Sequence, residues 1–177
     1  SILAIPALTT ILHMMLVASI IAVTTLLFFG APGPFNWTAF FLVLLATAFA
    51  YSGLGVLIGV ISSNARDSGL WSQLVYLPSM MLGGLMIPSA MLPETLGKVA
   101  RLLPSTYAMQ AFQGLAYNQN TALDSLGSLA ILLASGTLSF VLAIYLFNWD
   151  RYAATRHRRS ILALLTSLPY VVGLFLF

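Results

Sequence analysis

No charged side chain occurs before Arg66, and two long apolar runs, 2–29 and 38–61, fill most of that stretch. Such segments belong in hydrocarbon, where unpaired backbone N–H and C=O groups are so costly that only helices and closed barrels cross. Barrel strands alternate apolar and polar residues with a period of two, and these runs do not. The expected fold class is therefore all-α, a polytopic transmembrane helical bundle.

The rest of the chain fits the same solvent. Charged residues make up 6% of the sequence and hydrophobic residues 60%, against about 25% charged in soluble domains. Residues 1–177 read as a single transmembrane domain. Further apolar runs cover 69–91 and 125–147, while 161–177 sits near the lower length limit for a span. That last run is compatible with a crossing, an interfacial helix or a truncated one. The chain begins at Ser1 without a basic n-region or a small-residue cleavage site. Its first run is expected to be a span and not a signal peptide, in a chain that is a fragment or a processed product.

Arginine placement orients the bundle. Arg66 lies in the loop after the second run, and Arg151, Arg156, Arg158 and Arg159 follow the 125–147 run. If 92–124 makes no net crossing, all five share one side, which the positive-inside rule makes cytoplasmic. The expected location is thus the cell (inner) membrane, multi-pass, with the Arg-rich tail inside. The net charge of +3 suits this orientation and gives no basic face for nucleic acid.

The stretch "GGLMIPSAMLPETLGKVARLLP" at 83–104 interrupts the apolar pattern. Leu96, Val99, Ala100 and Leu103 fall on one helical face, with Glu94, Lys98 and Arg101 on the other. Pro93 suits a helix start and Pro104 a stop. A short amphipathic helix at the outer membrane surface is expected. Residues 104–118, short and carrying Gln110 and Gln113, are expected to dip in and return. An ordinary capped extracellular helix is the plainer alternative for the first part.

Few residues offer chemistry. Four acids, two histidines and no cysteine are present, and no motif for metal-assisted hydrolysis or a nucleophilic serine appears. His13 lies in an apolar run, where a lone histidine fits helix packing better than metal or haem ligation. His157 belongs to the basic tail, Asp67 neighbours Arg66, and Asp124 precedes a helix start. No acid lies mid-span, which argues against ion-coupled transport. The single lysine, Lys98, lacks a phosphate-cradling glycine loop. No metal or other cofactor is expected, and any ATP is bound by a partner subunit.

Two small-residue features stand out. Gly55, Gly59 and Ser63 recur at four-residue spacing and suit close helix packing, within the chain or between subunits. Pro78 with Gly83 and Gly84 predicts a break in the third helix, flanked by Met80, Met81 and Met86, an adaptable apolar path or a methionine-packed core.

The order "LPSMMLGGLMIPSAMLPETLGKVARLLPSTYAMQAFQGL", preceded by "GLGVLIGVISSNARDSG", resembles the membrane subunit of type-2 ATP-binding-cassette (ABC) transporters over about residues 2–150. Gly83-Gly84 replaces the family's common Ser-Gly, and Gln113 an arginine often found there. The family's first spans and coupling region are not recognisable, so the resemblance is to the C-terminal portion. It implies a non-catalytic permease subunit of an exporter, working with an ABC ATPase and a second permease, identical or not, among membrane lipid. It also implies an outer gate over 88–118, involving Pro78, Gly83, Gly84, Pro88, Pro93, Pro104 and Tyr107. The competing reading is a cofactor-binding or assembly membrane anchor without transport activity.

Overall fold

A computed structural model describes residues 4–30, 32–84, 86–87, 91–149 and 164–176. Helix α1 covers Ala4–Phe29 and α2 covers Trp37–Ile61. The Asn36 side chain caps α2 by accepting from the Ala39 N–H at 3.1 Å. Helix α3 spans Ala65–Leu82, α4 Glu94–Ala100 and α5 Pro104–Ala111. A π-helical turn, Phe112–Ala116, extends α5. Helix α6 runs Ser125–Trp149; a 3₁₀ turn, Leu164–Ser167, then leads into α7, Leu168–Leu176.

Among the described residues three helices are long and apolar enough to cross a membrane: Ala4–Phe29, Trp37–Ile61 and the Ser125–Phe147 part of α6. The fold is an all-α polytopic bundle around them. The third apolar run differs from its expected bounds of 69–91. Its helix starts earlier because Asn64 accepts from the Asp67 N–H at 2.9 Å, an N-cap with an acid in the first turn. It stops earlier, at Gly83, and its opening turns contain Arg66 and Asp67.

The centre of the bundle is the parallel pair α2 and α6, which make the most extensive contact of any two elements. Ala46, Ala50, Gly53 and Leu57 form the buried seam of α2. Ser128, Leu132, Ser135, Ser139 and Ala143 form that of α6. Side chains this small let backbones approach, and in lipid that close packing drives association. A Cβ on Gly53 would stand 2.9 Å from the Gly136 carbonyl, and one on Gly136 2.6 Å from the Phe49 ring. The seam serines hold their own hydroxyls: Ser135 donates to Leu132 O at 2.9 Å and Ser139 to Ser135 O at 2.7 Å. This back-bonding satisfies the hydroxyls of these two serines inside the seam.

Helix α1 lies antiparallel to α2. Met15, Ala18 and Ala22 pack on Phe40 and Leu44, and at the far end the Ser52 hydroxyl donates to Ala7 O at 3.1 Å. Its remaining surface, including Leu8, Leu12 and Leu16, is exposed, as a lipid-facing helix requires. Leu57, Ala143 and Leu146 cluster with Val60 and Ile61, so α2 and α6 finish at the same end of the bundle. Arg66 follows directly there. The arginines of the expected cytoplasmic tail, at 151–159, lie outside the described residues.

Of the last apolar run, 164–176 is described. Helix α7 has nine residues, about 13 Å at 1.5 Å per residue, against about 30 Å of hydrocarbon. It packs into the bundle, running against α6, with Tyr170 buried and its hydroxyl donating to Ser135 Oγ at 2.6 Å.

The seam generates a stability prediction. Gly136→Val drives a branched side chain into the Phe49 ring and the Ala50 backbone, so we expect destabilisation of about 1–3 kcal/mol, the usual cost of overpacking. Gly59→Ala, with nothing within 4 Å of its added Cβ, should leave thermal unfolding in detergent unchanged or slightly raised.

Candidate functional site

The site is built where α3 ends. The Gly83 N–H donates to Ser79 O at 3.0 Å and closes the helix. A Cβ at Gly83 would overlap the Ser105 hydroxyl and the Ser79 carbonyl, so the N-terminus of α5 rests directly on the end of α3. The Ser105 hydroxyl bonds to Ser79 O at 3.3 Å. At Gly84 the chain turns away with φ +86°, a conformation that L side chains adopt only with strain.

Pro93 then precedes α4, whose first turn closes with Gly97 N–H to Pro93 O at 2.9 Å. Lys98 and Glu94 form an exposed ion pair at 2.9 Å. The hydrogen bond and charge of Lys98 hold the Glu94 carboxyl below its ordinary value. Leu96 and Val99 are exposed while Ala100 is buried. The apolar stripe read from the sequence is therefore only partly covered, and Leu103 belongs to the turn before α5. Thr106 locks that turn by donating its hydroxyl to Ala100 O.

Helix α5 is almost entirely buried. Pro104 occupies its first turn, where a missing N–H costs nothing. Tyr107 is fully buried, stacks on Tyr170 with centroids 5.6 Å apart, and donates to Tyr170 O at 3.4 Å. It clusters with Ala50 near the middle of α2. Further along, Phe112 meets Phe40 at 5.5 Å, and Ala116 O accepts from the Asn36 N–H at 3.1 Å. The segment therefore climbs along α2 from its midpoint to its N-terminus. The π-helical widening near the top, closed by Tyr117 N–H to Phe112 O at 3.2 Å, is a feature often found at functional sites.

A cavity of about 590 Å³ opens between the end of α3, α4, α5 and the 119–123 loop. Its wall carries Lys98, Arg101, Gln110 and Gln113, with Leu82 and Met109 beside them. Gln110 is only 4% exposed, and its side-chain oxygen accepts from the Ala122 N–H at 3.1 Å.

The residues singled out in the sequence separate into groups. Gly83, Gly84, Pro104 and Tyr107 converge at this junction, with Pro93 heading the adjoining helix. Pro78 lies inside α3, which continues through it. Pro88 lies outside the described residues. Met80 is half-buried, while Met81 and Met86 are exposed; none lines the cavity, and Met109 does.

Gly55 and Gly59 are not part of the α2–α6 seam. They are exposed along a groove of about 600 Å³ shared with Pro6, Thr10 and Phe147. Ser63 lies beyond the end of α2 and hydrogen-bonds Asp67, so the four-residue spacing breaks where the helix does. His13 is exposed on α1, and no group of three metal-ligating side chains occurs among the described residues. The sequence reading missed Tyr170, Ser105 and the serine seam of α6. Ser128, Ser135 and Ser139, at seven- and four-residue spacing, carried the helical signal that identifies that seam.

The sequence model of the ABC-2 type transporter membrane family matches residues 1–117, from the first helix to just past the π-helical turn. The chain belongs to the ABC-2 type transporter family. No curated protein and no solved structure matches it. As an ABC-2 chain it is a permease-type, multi-pass membrane component of an ABC system and carries no catalytic role. Such components generally work with ABC ATPase subunits and form dimers. The family match ends before α6 and α7, so the resemblance noted over 118–150 lies beyond it, although α6 supplies half of the central seam.

The turn at Gly84 is directly testable. Gly84→Ala forces a side chain into positive φ and should cost about 1–2 kcal/mol. Gly97→Ala, in the interior of α4 with open space around it, should instead gain about 0.5–1 kcal/mol from helix propensity. Denaturant or thermal unfolding of the two variants reads the difference.

Proposed function

We propose that the chain is the C-terminal portion of an ABC export permease, forming part of the membrane pathway while a partner ATPase supplies the energy. The observation that carries this reading is the course of the described residues after α3. The chain breaks at Gly83-Gly84, and α5 with its π-helical turn runs along α2 from the level of Ala50 to Asn36. We read this path as the outward limb of a re-entrant element. With Arg66 at the opposite end, the positive-inside rule puts this element outside and the Arg-rich tail in the cytoplasm.

On this reading α3's break, α4 and α5 form the outer gate. Backbone released at proline and glycine must find new partners, so such a segment can hold two arrangements of similar energy. The partner ATPase acts on it by favouring one arrangement when ATP binds. A second permease subunit, identical or related, completes the pathway. The exposed Gly55 and Gly59 groove is the surface we assign to close packing with that subunit, and the exposed Met81 and Met86 flank the path.

Thr95 is exposed on α4. A cysteine there should react with an impermeant thiol reagent applied outside intact cells, and a cysteine at Ser63 only after permeabilisation. The reverse pattern overturns the orientation.

The gate assignment has a separate test. Cross-linking Met91→Cys of the two subunits should stop export while the ATPase still binds ATP, and reversal of the cross-link should restore it. Undiminished export across a confirmed cross-link refutes the gate.

Gly55→Ile or Gly59→Ile should weaken dimer cross-linking without unfolding the subunit, since among the described residues no atom outside its own helix turn lies within 4 Å of either added Cβ.

A further inference from the structure

The cavity below α4 has a charge and hydrogen-bonding pattern that the gate reading does not use. Three ionised side chains line it: Glu94, Lys98 and Arg101. Lys98 is committed to Glu94 at 2.9 Å, which leaves the cavity with one uncompensated cation, the half-buried Arg101. Arg101 has no ion-pair partner among the described residues.

Gln110 supplies a second, independent indication. It is 4% exposed and lines the cavity, and its carbonyl oxygen is taken by the Ala122 N–H. Its two amide N–H donors have no partner among the described residues. The Gln113 side chain adds further donors on the same wall. Among the described residues, an amide whose donors are free of protein partners, on the same cavity wall as a guanidinium without an ion-pair partner, suits an acceptor-rich anion. The volume, about 590 Å³, lies within the range of small-molecule sites, roughly 300–1,000 Å³. Leu82, Met109 and Leu123 add an apolar side on which the first carbons of an acyl chain can lie.

We propose that this cavity binds the phosphate of an anionic headgroup, with Arg101 as its counter-ion and Gln110 and Gln113 as neutral donors. Phosphate is favoured because a guanidinium fork matches its oxygens in pairs. The exposed Leu96 and Val99 on α4 suit a helix lying at headgroup depth. That the headgroup comes from the outer leaflet rests on the orientation proposed above; the binding itself does not.

The experiment is native mass spectrometry of the full chain released from nanodiscs containing phosphatidylglycerol and phosphatidylcholine in equal amounts. Wild type should retain phosphatidylglycerol selectively. Arg101→Gln should weaken that retention about tenfold or more, the value of one charge-assisted hydrogen bond, and Arg101→Lys should keep part of it. Gln113→Leu provides a second reading if Arg101→Gln does not fold. Arg66→Gln, at the other end of the bundle, should change nothing.

Competition by soluble glycerol phosphate assigns the site to a free anion, and failure to compete assigns it to lipid; either upholds phosphate binding. The proposal is overturned if wild type shows no preference, if the folded Arg101 and Gln113 variants match wild type, or if Arg66→Gln causes the same loss. Because no transport is measured, a negative result leaves the export reading untouched, and failure of the cross-linking test leaves the headgroup site untouched.

Discussion

The close approach of α2 and α6 is the contact on which the remaining elements are arranged. A side chain on Gly53 would meet the Gly136 carbonyl, and one on Gly136 would meet the Phe49 ring. Above this point the two helices carry Ala50 and Leu132, and these form the surface on which Tyr107 and Tyr170 are buried. Wider separation would open that surface and remove the floor beneath α5. Lipid offers no hydrophobic force between such helices, so shape complementarity must supply the association. Small residues therefore line the seam, and long ones face outward.

Burying α5 beside this pair brings a second requirement, because the backbone groups at its short helix ends must find partners within the chain. The chain satisfies them locally. Asn36 donates its N–H to Ala116 O, Gln110 accepts from Ala122 N, and Thr106 and Ser105 donate to the carbonyls of Ala100 and Ser79. Irregular backbone taken out of water must be paired within the protein, and these bonds do so at the ends of this segment. The same bonds tie α5 and its π-helical turn to the start of α2, the end of α3 and the end of α4.

Much of this was legible in the chain. Continuous apolar runs identified the three spanning helices, since length and hydropathy alone decide what hydrocarbon accepts. Pro93, Pro104 and the Gly83-Gly84 pair marked the breaks, and Glu94 with Lys98 marked the short helix between them. Family membership was legible too, through the order of those breaks and spans. One-dimensional periodicity left more open. Gly55 and Gly59 had the spacing of a packing face, yet the face that meets α6 within the chain is two residues away at Gly53. Four-residue spacing defines a stripe without saying which stripe meets a neighbour.

The sequence by itself determined the solvent, the helical class and the breaks in the chain. Each follows from local rules: transfer to hydrocarbon, backbone satisfaction within a helix, and the conformational limits of proline and glycine. Only the tertiary structure decided that α7 returns to the bundle to bury Tyr170 against Ser135. Only it brought Arg101, Gln110 and Gln113 around one cavity and separated Met81 and Met86 from it. Those arrangements depend on contacts between residues far apart in the chain, and the closeness of two backbones at Gly53 and Gly136 is a property of neither helix alone.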